Sequence, residues 1–187
     1  KGDASILEGF KDIPIAIASF ILASFLPKIG LKKSMLLGLA LVSIFCFMTP
    51  FTNDFWYFKM LFLVIGISFA LIKIAVFATI GLITNSQKEH GSFMGILEGV
   101  FMGGILLGNI AFSFFIDDAN PKSTNWLNMY WFMGAISLLA FIVLLASKLD
   151  ESQAKIEQRK FSEDFKEMLL LILKPLTIIF VISIFLY

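Results

Sequence analysis

An all-α integral membrane protein, built as a polytopic helical bundle, is the fold class this sequence predicts, and three observations predict it. Hydrophobic residues make up 58% of the 187 positions and charged residues only 16%, with a mean hydropathy of +0.89. That leaves too little polar surface to clothe a water-soluble domain. The apolar residues also fall into about six runs separated by short polar turns, most of them near the length of roughly 20 residues that a bilayer crossing needs. Finally, the run from Gly91 to Ile116 carries Gly91, Gly95, Gly99 and Gly103 at every fourth position, then Gly104 and Gly108. Small residues at this spacing let membrane helices approach backbone to backbone.

The first span is predicted over 4–27. It is polar at its start (Glu8, Lys11, Asp12) and apolar from Ile13 to Leu26. Pro14 should kink or restart it, because proline lacks the backbone donor and clashes one turn back. A short basic turn, Pro27-Lys28-Ile29-Gly30-Leu31-Lys32-Lys33, leads to a second span over 34–48 that closes at Thr49-Pro50. The aromatic cluster Phe55-Trp56-Tyr57 opens a third span over 55–84, and Asn85 to His90 is a polar turn before the glycine helix over 91–116. Asp117 to Asn125, with Pro121, forms the next loop, and Trp126 to Ser147 is a fifth span.

The stretch 148–167 is charged and lies outside the bilayer. Ser162 followed by Glu163 and Asp164 makes a helix start, with a capping hydroxyl and acids at the positive end of the macrodipole. Phe161, Phe165 and Leu169 recur every four residues, the pattern of an amphipathic helix at the membrane surface. A last run, 168–187, is entered through Pro175 and is incomplete. The chain starts at Lys1 without Met and stops inside an apolar run, so it reads as part of a longer protein.

Basic residues set the orientation. Lys28, Lys32, Lys33, Lys88, Lys148, Lys155, Arg159, Lys160 and Lys166 all fall in the loops after the first, third and fifth spans. The other loops hold little beyond Lys59 and Lys122 and are flanked by Trp and Tyr. The positive-inside rule places the Lys-rich loops in the cytoplasm.

The charges inside the spans are the candidate chemistry. Lys73 sits near the middle of the third span and Glu98 about two turns into the next, antiparallel helix; at about 1.5 Å per residue their depths differ by about 7 Å, within reach of two long side chains. A charge at membrane depth is costly unless it is paired or faces water. Lys73 and Glu98 are therefore expected to pair or to line a transport path, with Glu98 as a protonatable coupling site; a static pair that fixes helix register is the alternative. On a helix turning roughly 100° per residue, Glu98, Met102, Ile105 and Asn109 share one face. Asn109 is thus a candidate solute ligand or a hydrogen-bonding partner for a neighbouring helix. Lys11 and Asp12 are candidates for the outer cavity or for a solvated rim. Gly95, Gly99, Gly103, Gly104 and Gly108 are assigned to helix packing. Asp117 and Asp118 read as hydrated, His90 as solvated in a cytoplasmic turn, and the 22 Phe residues as lipid-facing bulk. The single Cys46 excludes an internal disulfide. No metal and no cofactor is expected, and the net charge of +1 gives no reason to expect a nucleic-acid partner.

Other function classes lack their signatures. No span contains a His, a metal-binding helix motif or a nucleophile elbow, so an enzyme is not expected. A channel needs a selectivity element, and none is visible. A non-transporting membrane scaffold stays open.

The tight basic turn, the glycine-rich helix and the charged connector, in this order, resemble the major facilitator superfamily of secondary transporters. That family's signature in its first cytoplasmic turn has a small residue, three residues, Asp-Arg, one residue, Gly and then basic residues. Here Ala23 to Lys33 keeps the base Lys28, the glycine Gly30 and the bases Lys32 and Lys33, while Pro27 stands in the acid's place. The fifth-helix signature of the family's antiporters is matched in spacing by Gly95, Gly104 and Gly108, with Asn109 where it has proline and Phe112 and Ser113 where it ends in glycines. In its fourth-helix pattern an Arg precedes a glycine by four residues; with Gly66 as that glycine the position is Phe62, and the nearest base is Lys59.

The resemblance covers the whole chain as an incomplete bundle, from roughly the family's second helix to the start of its seventh. It divides the chain into 1–147 as the remainder of an N-terminal transmembrane half, 148–167 as the cytoplasmic connector and 168–187 as the start of a C-terminal half. It implies a multi-pass protein of a cell membrane, a bacterial inner membrane being expected. Its partners are then the lipid bilayer, a small polar solute such as a sugar or organic anion, and protons or Na+. Transport would proceed by alternating access around a midplane site. The departures at Asn109, Phe112 and Ser113 favour symport over drug/proton antiport.

Overall fold

A computed structural model describes residues 2–116, 120, 123–149, 166, 170–171 and 173–186 of the chain. Its helices are α1 (Gly2–Ile29), α2 (Leu31–Met48), α3 (Phe55–Ile83), α4 (Gln87–Ser113), α5 (Met129–Ala146) and α6 (Pro175–Leu186). One-turn 3-10 helices at Thr49–Phe51 and Asn125–Asn128 follow α2 and lead into α5. Among the described residues no strand occurs, and four helical stretches are long and apolar enough to cross a membrane: Leu31–Phe51, Phe55–Ile83, Gln87–Ser113 and Asn125–Ala146. The bundle of membrane helices expected from hydropathy is what forms. The surface connector expected around Phe161, Ser162 and Phe165, and the acids Asp117 and Asp118, lie outside the described residues.

The helix ends depart from the sequence reading in three places. Helix α1 runs through Pro14 without a break; one lost backbone hydrogen bond is tolerated in a membrane helix where neighbouring protein supports the turn. The basic turn after it shrinks to a single residue. Gly30 adopts φ 97° and ψ 137°, a conformation open to glycine but rarely to residues with a Cβ. Lys32 and Lys33 therefore lie on the first turn of α2 and not in a loop. Helix α4 begins four residues before Gly91, because Ser86 caps it: the Ser86 hydroxyl accepts from the Glu89 backbone N–H at 3.2 Å and the Glu89 carboxylate accepts from Asn85 N–H at 2.9 Å. This is a variant of the capping box, whose Ser-x-x-Glu pattern is present at 86–89.

Packing follows small residues. Helix α3 is central, with α1 and α2 along it, and α5 packs on the other side of α2. At Gly66 the Lys11 carbonyl oxygen lies 2.5 Å from where a Cβ would sit, and at Gly38 the Ile72 side chain and the Ser68 carbonyl lie 2.8 and 3.0 Å away. The Phe47 ring occupies the equivalent space at Gly134, 3.0 Å off, and the Ser43 hydroxyl donates to the Gly134 carbonyl across α2 and α5 at 3.2 Å. Leu26, Leu31, Met35, Leu71 and Ala75 form the buried core around the junction of α1 and α2 and the facing part of α3. At the opposite end Phe51, Phe58, Trp126, Tyr130 and Trp131 stack into an aromatic belt, as expected at a membrane interface.

Helix α4 stands apart. It contains no buried residue, and nothing lies within 4 Å of a Cβ built at Gly95, Gly99, Gly103, Gly104 or Gly108. Close packing through these glycines is thus not made among the described helices, where Gly38, Gly66 and Gly134 make it instead. What holds α4 is its contact with α3 and ring contacts such as Phe112 with Trp126 and Phe115 with Phe132.

Candidate functional site

Lys73 on α3 and Glu98 on α4 face each other near the midpoints of their helices. Their Nζ and Oε1 atoms are 3.4 Å apart, and their side chains are 37% and 41% exposed. The pair lines a cavity of about 150 Å³ whose other walls are Phe69, Ile72, Val76, Phe77, Leu97 and Phe101. Phe69, Lys73 and Phe77 recur every four residues, so they share one face of α3. The Lys73 ammonium accordingly sits over the Phe69, Phe77 and Phe101 rings, 5.6, 5.3 and 5.2 Å from their centroids, within cation–π range. These three phenylalanines are not lipid-facing bulk; they form a cage around the cation. The spacing of Phe69 and Phe77 about Lys73 was the signal available in the sequence, while Phe101 joins them from α4.

A second cavity, about 300 Å³, opens on the outer side between α1, α3 and α4, lined by Lys11, Asp12, Ile15, Ile65, Phe69 and Phe101. Lys11 and Asp12 pair with each other at 3.5 Å. Phe69 and Phe101, with centroids 5.7 Å apart, line both cavities and so form the wall between the two ion pairs.

The remaining candidates lie elsewhere. Asn109 is exposed and stands eleven residues, or about 16 Å of helix, beyond Glu98; the structure does not bring it to the ion pair. Lys28 belongs to α1 and its side chain lies outside the described part. Lys33 is exposed. Lys32 reaches across the bundle and donates to the Leu145 and Ser147 carbonyls at the C-terminal end of α5, at 3.0 and 2.5 Å. A cation is unfavourable at the start of its own helix and favourable at the end of another, and this reach satisfies the second preference at the expense of the first. His90 is half-buried and bonded, with Nδ1 3.2 Å from the Thr84 hydroxyl, where sequence reading left it solvated. Lys59, unassigned by sequence, sits over Phe55 and Trp56 at 4.8 and 4.3 Å, an anchor suited to the outer interface. Among the described residues no group of His, Cys, Asp and Glu is arranged to hold a metal ion.

No curated protein and no solved structure matches this chain. A family model does, over residues 13–187, and its description is Major Facilitator Superfamily. The match takes in every helix described above except the first residues of α1: the chain belongs to the major facilitator superfamily of secondary transporters.

Proposed function

We propose that this protein carries a small polar solute, a sugar or an organic anion, by alternating access and in symport with an ion, with the Lys73–Glu98 pair as its solute and coupling site. The observation that carries this reading is the pair itself: a base and an acid 3.4 Å apart, both half-buried, near the midpoints of two helices long and apolar enough to cross a membrane. Charges held there without full burial are better suited to exchanging partners than to fixing register. A proton on Glu98 releases Lys73, and a solute that takes the place of the carboxylate ties the two events together. Protons are the coupling ion this chemistry favours, and a cell membrane, such as a bacterial inner membrane, is the expected location.

The test uses the full-length protein in proteoliposomes with radiolabelled sugars and carboxylates. Under an inward proton gradient the native protein should accumulate its solute, and Glu98→Gln should lose accumulation by at least about tenfold while still exchanging internal for external solute. Accumulation and pH dependence left intact in Glu98→Gln would rule out the coupling role.

A further inference from the structure

The site at Lys73 and Glu98, taken as the solute and coupling site proposed above, also constrains what the solute is. Apart from the ion pair, every residue lining its cavity is aromatic or aliphatic. A sugar brings many hydroxyls, and each one stripped of water here finds no partner, which costs affinity. The cavity offers a solute one charge and an apolar body's worth of contact.

The charge is fixed by what happens when Glu98 takes up a proton. Lys73 then keeps its ammonium among Phe69, Phe77 and Phe101, all within 5.6 Å, and has lost its carboxylate. One monoanion restores neutrality by taking Glu98's place; one proton and one monoanion together add no net charge to the site. The other charged groups nearby do not alter this sum. Lys73 faces Glu98 from α3, Lys11 and Asp12 lie on α1 beyond the Phe69–Phe101 wall and pair with each other, and α4 gives the cavity no charge besides Glu98. We propose that the solute is a monocarboxylate with an aromatic or otherwise apolar body, moved together with one proton on Glu98, and that Phe69, Phe77 and Phe101 select it. Because Phe69 and Phe101 also line the outer cavity, the rings that select the solute are the ones it meets on entry.

Benzoate and gluconate, equal in charge and opposite in body, are the probes. Their binding to the detergent-purified full-length protein is measured by calorimetry. Benzoate should bind saturably, at least about tenfold more tightly than gluconate, and more tightly as pH falls. Lys73→Met and Phe101→Leu, checked for folding by their melting temperatures, should each weaken benzoate by about tenfold. Glu98→Gln, which mimics the protonated acid, should bind benzoate with little pH dependence. The proposal is overturned by gluconate binding as tightly as benzoate, by absence of benzoate binding to the folded protein, or by benzoate affinity unchanged in Lys73→Met. A protein that binds benzoate as expected but does not accumulate it in proteoliposomes supports the assignment of the site and rejects the transport reading instead.

Discussion

At Gly66 the backbone of α1 comes so close to α3 that no side chain fits between them, with the Lys11 carbonyl 2.5 Å from the position of a Cβ. The obstacle is backbone and cannot rotate away. Gly66→Ala should therefore push α1 off α3 and destabilise the protein by about 1 to 3 kcal/mol, the range for overpacking. Gly81, exposed and with nothing within 4 Å, is the control: alanine there should be neutral or slightly stabilising through helix propensity. Thermal unfolding of the two variants in the same detergent checks the contrast. At the residue scale the sequence was readable where chemistry is rare and unreadable where it is common. Lys73 and Glu98 stand out because charges seldom occur at membrane depth. Phe69, Phe77 and Phe101 are three among 22 Phe; only the register of Phe69 and Phe77 about Lys73 set those two apart from lipid-facing rings, and Phe101, on α4, had no such mark. Gly66 was noticed only as a family position, since its role depends on a carbonyl of another helix.

Helix α4 is weakly held among the described residues. With no residue buried, its seat on α3 rests on the Lys73–Glu98 pair and on contacts such as Phe69 with Phe101. Cys46 is wholly buried and is the chain's one thiol, so it leaves a quiet background for a cysteine introduced at Leu97, which is half-buried on the α3 side of α4. In a Glu98→Gln background that cysteine should react with a maleimide severalfold faster than in native Glu98; equal rates would show that the pair does not seat α4. Helix positions were legible because long apolar runs between polar turns can do little else in a bilayer. Helix neighbours were not. In lipid no amphipathic stripe marks the buried face, and contacts are decided by shape, which is why the glycines of α4 drew attention while Gly38, Gly66 and Gly134 make the close approaches. The Ser86 cap was written in the sequence as Ser-x-x-Glu at 86–89, whereas the one-residue turn at Gly30 is a local backbone event too short to change hydropathy.

At the scale of the bundle α1, α3, α2 and α5 pack in that order, and Lys32 at the start of α2 ties down the C-terminal end of the neighbouring α5. Lys32→Met should free the last turn of α5, and hydrogen exchange of the amides near Leu144 to Ser147 should quicken severalfold while the middle of α5 is unchanged. Uniform exchange in both forms would reduce Lys32 to a surface contact. Family membership and the multi-pass helical bundle were both foreseeable from the order of the turns, the glycine helix and the loop charges. The solute class we propose was not, because it rests on which side chains converge between α3 and α4. The joint between α1 and α2 carries a mechanical consequence. A single glycine spans it, with Leu26 accepting from the Gly30 N–H at 2.9 Å and Ser34 donating to the Gly30 carbonyl at 3.0 Å. Such a joint has angular freedom but no slack, so α1 cannot slide along its axis without dragging α2. Axial force reaching the N-terminal end of α1 is delivered, undiminished by any spring, to the start of α2.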